Sequence, residues 1–139
     1  MSDDGVVGLA TTAGSQFLTY SLGGDAFGHI KTVAAQLPSE SWKDFGTGVR
    51  LGRLAKNGKT QFVFYDIADG ASPDAFQEHM HPGGEFYFVV EGIIYDDRGE
   101  FGAGSVIWMP PGSVHTPRAR GKTLIFVCWP LGVELTKSA

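Results

Sequence analysis

Three of the four histidines and one glutamate lie at spacings typical of a metal site. His79 and His81 are separated by one residue, Glu85 follows a Pro-Gly-Gly sequence, and His115 lies further along the chain. Two histidines at i and i+2 of an extended segment point to the same side, because side chains alternate along a strand. A turn at residues 82–84 would bring the Glu85 carboxylate to the same point. This pattern predicts a divalent metal site, with ordinary surface histidines or a hydrogen-bonded core pair as the alternative.

The elements that would position these residues are short strands. Glycine makes up 20 of the 139 residues, about twice its usual share, which indicates many turns. Runs rich in β-branched and aromatic residues predict strands at residues 60–67, 85–91, 106–109 and 123–129. A polar turn at residues 97–99 predicts a hairpin, and only residues 30–37, which end at Pro38, have a helical pattern. The chain is therefore predicted to be all-β, an antiparallel sandwich or barrel.

A chain of 139 residues is long enough for one domain. Residues 1–29 are rich in Gly, Ser and Thr and are predicted to form an N-terminal arm, in which residues 17–22 are a candidate added strand. Residues 30–139 would form the barrel. In the strand that begins at Glu85, alternating residues make both faces largely apolar, so both must be covered. We expect a homodimer, cover from the arm, or both.

The charge balance disfavours several classes of partner. Eleven basic and fifteen acidic residues give a net charge of −4, and no basic cluster stands out, so neither nucleic acid nor a membrane surface is an expected partner. The apolar runs are far shorter than the about 20 residues that span a bilayer, and the N-terminal residues do not resemble a signal peptide. We expect a cytoplasmic protein whose partner is a small-molecule substrate or ligand.

Two stretches resemble the motifs of a known family. The spacing of His79, His81, Glu85 and Gly92 is similar to the first motif of the cupin superfamily. Residues 104–115, with their Gly, Pro-Pro-Gly and final His, resemble the second motif. Residues 81–85, 90–92 and 110–117 further resemble the cupin domain of ChrR-type anti-sigma factors and small cupin dioxygenases. The resemblance implies a single-domain cupin, a double-stranded β-helix with a jelly-roll-like barrel.

The chain departs from the two motifs at Pro73, where the first motif has glycine, and at Ala119, where the second has asparagine. Neither position supplies a metal ligand in the family, so the departures concern turn geometry. The resemblance implies that His79, His81, Glu85 and His115 are the metal ligands. Fe(II) is the expected ion, with Mn(II), Ni(II) and Zn(II) as alternatives.

The resemblance also implies a function. Four ligands leave two positions free on an octahedral ion, which suits a dioxygenase acting on a small enolisable or aromatic oxygenated compound, such as a diketone or a catechol. The alternative is a ChrR-like metal-binding sensor, or a small-molecule-binding module without catalysis. An isomerase or epimerase is a third reading, against which the complete set of ligands counts.

Strand alternation places three more residues on the ligand face. Gln77, Tyr87 and Val89 are predicted to line the substrate pocket, with ordinary core packing as the alternative. Glu85 is the candidate catalytic residue, because a carboxylate near the metal could accept a proton from an acidic substrate.

The remaining polar and aromatic signals are weaker. The aromatic residues at positions 62, 64, 108 and 126 are candidates for the apolar surroundings of the metal. The charged residues at positions 96–98 and 100 are predicted to form a solvated turn, and His29 is predicted to be solvated.

Overall fold

A computed structural model describes residues 16–136 and confirms the predicted all-β fold. The elements in chain order are β1 (Leu18–Ser21), α1 (Gly28–Gln36), a 3-10 turn (Ser39–Ser41), β2 (Trp42–Gly46), β3 (Val49–Asn57), β4 (Thr60–Ile67), β5 (His79–His81), β6 (Glu85–Asp96), β7 (Gly99–Gly102), β8 (Ser105–Met109), β9 (Ser113–His115), β10 (Arg118–Trp129) and β11 (Glu134–Leu135). Within residues 16–136, no helix has the length and apolar character needed to cross a membrane.

The strands form two antiparallel sheets. The large sheet has the order β1-β8-β6-β10-β4-β3-β2, with β7 paired to β6, and the small sheet has the order β11-β5-β9. The two sheets are not joined by hydrogen bonds into one closed barrel, which is the arrangement of a jelly roll. The small sheet carries the three candidate histidine ligands, and Glu85 is the first residue of β6 in the large sheet.

Side chains at odd-numbered positions of β4, β8, β10 and the first part of β6 lie in the inner core, and Ile94 joins them beyond Gly92 of β6. On β6 these include Tyr87 and Val89, which lie opposite Val127 and Ile125 of β10. Such cross-strand apolar pairs are the main source of sheet stability. The inner core therefore holds β6 in register beneath the candidate metal ligands.

The even-numbered side chains form a second apolar cluster on the outer face of the large sheet. Helix α1 and the residue before it cover part of this face, and Phe27 stacks on Phe88 with ring centroids 5.3 Å apart. Helix α1 begins at Gly28, so it crosses the expected boundary between arm and barrel at residues 29 and 30. Strand β1 pairs with β8. Residues 1–15 of the predicted arm lie outside the described residues.

One row of apolar side chains on the outer face stays partly exposed. Trp108 lies opposite Phe86, Phe86 opposite Cys128, and Cys128 opposite Phe62, across four neighbouring strands. Phe86 is 43% exposed and Phe62 is 37% exposed. We call these four residues the outer row.

Candidate metal centre

The structure brings the four predicted ligands together. Strand β5 pairs with β9 so that His79 lies opposite His115, and His81 lies two residues along on the same face as His79. One ligand atom from each of these histidines and one from Glu85 lie within 4.8 Å of one another, and all four residues are buried. A buried group of three imidazoles and one carboxylate can hold a divalent metal ion.

Glu85 reaches this group because a tight turn ends at Gly84. The Gly84 N–H donates to the His81 carbonyl oxygen at 3.1 Å, and Gly84 has a φ of +85°. A Cβ at this position would lie 2.4 Å from the Trp108 ring and 2.8 Å from the Met109 carbonyl oxygen. Only glycine satisfies both the positive φ and the close approach.

We expect Gly84→Ala to lower the free energy of unfolding of the metal-free protein by at least about 2 kcal/mol, through backbone strain and collision with β8. Gly112→Ala is the matched control, because Gly112 has a φ of +83° but a Cβ there would meet nothing within 4 Å. Its cost should be about 1 kcal/mol, the strain alone. Urea denaturation measures both. Equal losses for the two variants would contradict the role of close packing at Gly84.

The three imidazoles are oriented by hydrogen bonds at Nδ1. His79 Nδ1 donates to the Gln77 carbonyl oxygen at 2.8 Å, and His81 Nδ1 is 2.9 Å from Ser113 Oγ. His115 Nδ1 donates to Asp96 Oδ2 at 2.9 Å. Metal-binding histidines in proteins use one ring nitrogen in this way and direct the other at the ion.

The second ring nitrogens of the histidines, the Nε2 atoms, lie near the Glu85 carboxylate. His81 Nε2 lies 3.3 Å from Glu85 Oε2 and His115 Nε2 lies 3.5 Å from Glu85 Oε1. Neither contact has hydrogen-bond geometry, so both Nε2 atoms are buried without a partner among the described residues. Buried polar atoms without partners are rare and costly. A divalent ion would satisfy them, so this donor set fits a metal.

The three imidazole rings are related by an approximate threefold axis. Their centroids are 4.7 to 4.9 Å apart in all three pairs, and the ring planes are inclined to one another by 70° to 76°. This near-threefold arrangement allows the three histidines to present nitrogen lone pairs to one centre, with Glu85 as the fourth contributor.

The pKa values favour the protonation states that metal binding requires. Burial and the neighbouring charge of His115 lower the pKa of His79 to about 4. Burial by itself would raise the pKa of Glu85, but its contact with His81 and the charges of the histidines outweigh burial and lower that pKa to about 2. At neutral pH His79 is therefore a neutral imidazole and Glu85 is a carboxylate.

Asp96 is a functional residue that the sequence analysis did not identify. It was predicted to lie in a solvated turn, yet its side chain is only 1% exposed, because it ends β6 directly beside His115. Its second oxygen, Oδ1, accepts the backbone N–H of Arg98 at 2.8 Å. The hydrogen bond to His115 helps to hold the pKa of Asp96 below its usual range although burial opposes this. Asp96 therefore fixes the His115 ring as an anionic hydrogen-bond acceptor.

Trp129 is the second residue that was missed. Its Nε1–H donates to Glu85 Oε2 at 2.6 Å, and the side chain is buried at the end of β10. This bond occupies one carboxylate oxygen and orients the other. Because every residue from 124 to 129 is apolar, alternation along β10 could not show from the sequence that Trp129 faces inward.

Three of the four centre residues, His79, Glu85 and His115, line a cavity of about 450 Å³, whereas His81 is fully buried and does not. Gln77 and Tyr87 line it. Val89 does not line it, although Tyr87 and Val127 of the same inner core do. The cavity is mostly apolar, with walls that include Leu51, Phe76, Ile94, Ile125 and Val127.

The aromatic residues expected to surround the metal do not line this cavity. Phe62, Phe64, Trp108 and Phe126 lie at even-numbered positions of their strands and point to the outer face of the large sheet. The aromatic walls come instead from inward-facing Tyr65, Tyr87 and Trp129 and from Phe45 and Phe76. Phe45 is 40% exposed and marks the cavity opening together with the exposed Val133 and Leu135.

Comparisons with known proteins agree with this architecture. The acetylacetone dioxygenase of Acinetobacter johnsonii is similar in structure, with a TM-score of 0.59, 16% identity, and coverage of 68% of this chain and 71% of that chain. A chain of the complex of Rhodobacter sphaeroides SigE with the anti-sigma ChrR has a TM-score of 0.53 at 23% identity, with coverage of 75% of this chain and 66% of that chain. An RmlC-like cupin from Shewanella frigidimarina NCIMB 400 has a TM-score of 0.55 at 20% identity, with coverage of 70% and 86%.

These identities are low, so the structural likenesses show the fold alone. A comparison with curated proteins found no match. The family described as the ChrR cupin-like domain matches residues 31–131, which is most of the chain and includes all four residues of the centre. The resemblance drawn from the two motifs is confirmed, and the chain belongs to the ChrR cupin-like family.

Proposed function

We propose that this protein is a metal-dependent dioxygenase that uses Fe(II) and acts on a small enolisable or aromatic oxygenated compound, such as a diketone or a catechol. One observation carries the proposal. Within residues 16–136, the Nε2 atoms of His81 and His115 are buried without partners beside the Glu85 carboxylate, and Glu85 and His115 line an apolar cavity large enough for a small molecule.

The proposed ligands of the ion are His79, His81, Glu85 and His115. Bound Fe(II) would supply Lewis acidity toward a chelating substrate and the capacity to react with dioxygen. The chain itself holds the ligands in place through the Nδ1 hydrogen bonds and the Trp129 bond to Glu85. Such fixed geometry lowers the reorganisation needed during reaction.

Glu85 is the proposed proton acceptor. Its carboxylate borders the cavity and Trp129 Nε1–H donates to Oε2, so Oε1 is the oxygen that would bind the ion, and it becomes free to accept a proton when the carboxylate leaves the ion. An acidic C–H or O–H of a substrate brought against Oε1 can transfer its proton there. The apolar walls exclude bulk water from this position, and Gln77 and Tyr87 are the proposed polar contacts that orient the substrate.

Oxygen consumption tests the proposal. Protein loaded with Fe(II) under anaerobic conditions should consume dioxygen when acetylacetone or catechol is added, and the same protein loaded with Zn(II) should not. Acetylacetone probes an enolisable diketone and catechol an aromatic diol. Absence of uptake across diketones and catechols, at full Fe(II) occupancy by elemental analysis, would contradict dioxygenase activity.

The second candidate is a metal-binding sensor or small-molecule-binding module without catalysis. The match to the ChrR cupin-like family favours it, since ChrR is an anti-sigma factor in the matched complex. Four protein ligands also fill a tetrahedral Zn(II) ion and leave it no open position. Tight Zn(II) binding, together with no oxygen uptake under any loading, would favour this candidate over the enzyme.

We also propose that the protein forms a homodimer through the outer row. Its four side chains form an uncharged apolar strip across the sheet, with Phe86 and Trp108 ring centroids 4.5 Å apart. Exposed apolar patches mark interaction sites, and an uncharged strip can pair with its own copy about a two-fold axis.

The outer row should therefore control the oligomeric state. We expect light scattering after gel filtration to give a dimer for the native chain and a monomer for Phe86→Glu, because the new charge would be buried in the interface. Phe45→Glu is the control, since Phe45 is 40% exposed but lies at the cavity opening. A monomeric native chain, or a Phe86→Glu variant that remains dimeric, would contradict the proposal.

A further inference from the structure

The cavity contains a single cationic side chain, Arg53. Among the residues that line the cavity, no other Lys or Arg is present, and Glu85 is the only carboxylate. Arg53 lies on β3 two residues after Leu51, so both side chains point inward, and it is half-buried. The side chain also borders a surface groove lined by Glu40, Ser41 and Lys43, so Arg53 lies between the cavity and solvent and is within reach of a cavity ligand.

The hydrogen-bond partner of the Arg53 guanidinium is an uncharged side chain, so the positive charge of Arg53 is not neutralised. Its Nε–H donates to Gln61 Oε1 at 3.2 Å, and Gln61 also lines the cavity. Within residues 16–136, no carboxylate lies within ion-pair distance of Arg53. The two terminal guanidinium nitrogens remain as donors in a planar pair, the arrangement that suits a carboxylate.

Arg53 lies at the same end of the large sheet as the metal centre. Gln61, its partner, lies opposite Trp129 in the pairing of β4 with β10, and Trp129 donates to Glu85. Strands β3 and β10 are separated by one strand, a distance of about 10 Å between backbones. One small molecule can therefore contact both Arg53 and the centre.

Tyr87 gives independent support for a polar ligand. Its hydroxyl is buried without a hydrogen-bond partner among the described residues, and its ring borders the cavity and lies 6.3 Å from the His115 ring. A buried hydroxyl without a partner costs free energy that a ligand oxygen would recover. The cavity thus offers a cationic site at Arg53 and a hydroxyl near the centre, separated by apolar walls.

We propose that the cavity selects a small monoanion whose carboxylate pairs with Arg53 and whose mostly apolar body extends toward the centre. The assignment of that anion as the substrate rests on the proposed function, but its recognition by Arg53 does not. A half-buried cation in an apolar cavity favours an anionic ligand over a neutral one of the same shape, because only the anion forms charge-assisted hydrogen bonds.

Calorimetric titration with a matched pair of probes tests this proposal. Cyclohexylacetate and its uncharged analogue cyclohexylacetamide are titrated into Zn(II)-loaded protein and into metal-free protein. We expect the acid to bind about tenfold more tightly than the amide in both forms. The metal-free arm is needed because a carboxylate can also ligate an ion, and a preference that survives metal removal belongs to the cavity.

Substitutions on β3 test whether Arg53 is responsible for the preference for the acid over the amide. Arg53→Gln should abolish the difference between acid and amide, and Arg53→Lys should restore part of it. Arg50→Gln is the matched control, because Arg50 lies on the same strand but is exposed and packs over Trp42 at 4.9 Å, outside the cavity. It should leave the preference unchanged.

Three results would overturn the proposal: equal affinity for acid and amide, a preference that persists in Arg53→Gln, or no binding of the acid at millimolar concentration. These results are separate from the failure of the dioxygenase. If the protein takes up no oxygen but still prefers the acid to the amide through Arg53, the anion site is supported and the dioxygenase activity is contradicted. Oxygen uptake with neutral diketones, together with equal affinity for acid and amide, would support the dioxygenase and contradict the anion site.

Discussion

Replacing His115 with alanine is expected to remove the metal from the purified protein. The substitution deletes one of three converging nitrogens and leaves Asp96 buried beside an empty space. Loss of an outer hydrogen-bond partner alone weakens metal binding by about 10- to 100-fold, so loss of a ligand should exceed that range. Elemental analysis after gel filtration should show a full equivalent of metal in the native protein and almost none in the variant.

The fold should survive this substitution, because the inner core and the outer cluster do not depend on His115. The strand spectrum by circular dichroism should be retained, which separates loss of metal from loss of structure. His29→Ala is the control, since His29 is exposed on α1 and far in sequence from the centre. Full metal occupancy in His115→Ala would show that the ligand assignment is wrong.

Asp96→Asn is expected to weaken metal binding by about 10- to 100-fold without removing any ligand. Both oxygens of Asp96 act as acceptors, Oδ2 for His115 Nδ1–H and Oδ1 for the Arg98 N–H. An asparagine has only one acceptor oxygen, so one of the two donors must lose its partner. The substitution also removes the negative charge that increases the basicity of the His115 ring.

Competition with a chelator measures this effect, and Asp97→Asn provides the matched control. Asp97 is the next residue in the chain, but its side chain is 89% exposed, so its variant should bind metal as the native protein does. Urea denaturation of the metal-free forms distinguishes altered positioning from general destabilisation. Equal affinities for the two variants would mean that Asp96 has no part in holding His115.

Much of the centre could be predicted from the sequence because its geometry is local. Two histidines at i and i+2 must share a strand face, and a Pro-Gly-Gly turn returns the chain within a few residues. The strand at residues 60–67 and the hairpin near residues 97–99 were also predicted, since β-branched runs and turn residues report on local conformation. The predicted helix at residues 30–37 begins two residues earlier, at Gly28.

The residues that were missed depend on contacts between distant segments. Asp96 reaches His115 only because the hairpin of β6 and β7 lies against β9, and Arg98 donates to the Val114 carbonyl oxygen across the same contact. No local pattern reports that contact. The wrong placement of Phe62, Phe64, Trp108 and Phe126 has a different cause. Both faces of the large sheet are apolar, so hydrophobicity alone could not separate the inner face from the outer one.

The central claim is that one ion is bound by the three Nε2 atoms and the Glu85 carboxylate. Anomalous scattering from crystals of the metal-loaded protein, measured at the absorption edge of the bound metal, tests it most directly. We predict one peak per chain, about 2 Å from a nitrogen of each of His79, His81 and His115 and from a Glu85 oxygen. A peak elsewhere, or none in crystals whose protein retains the metal, would contradict it.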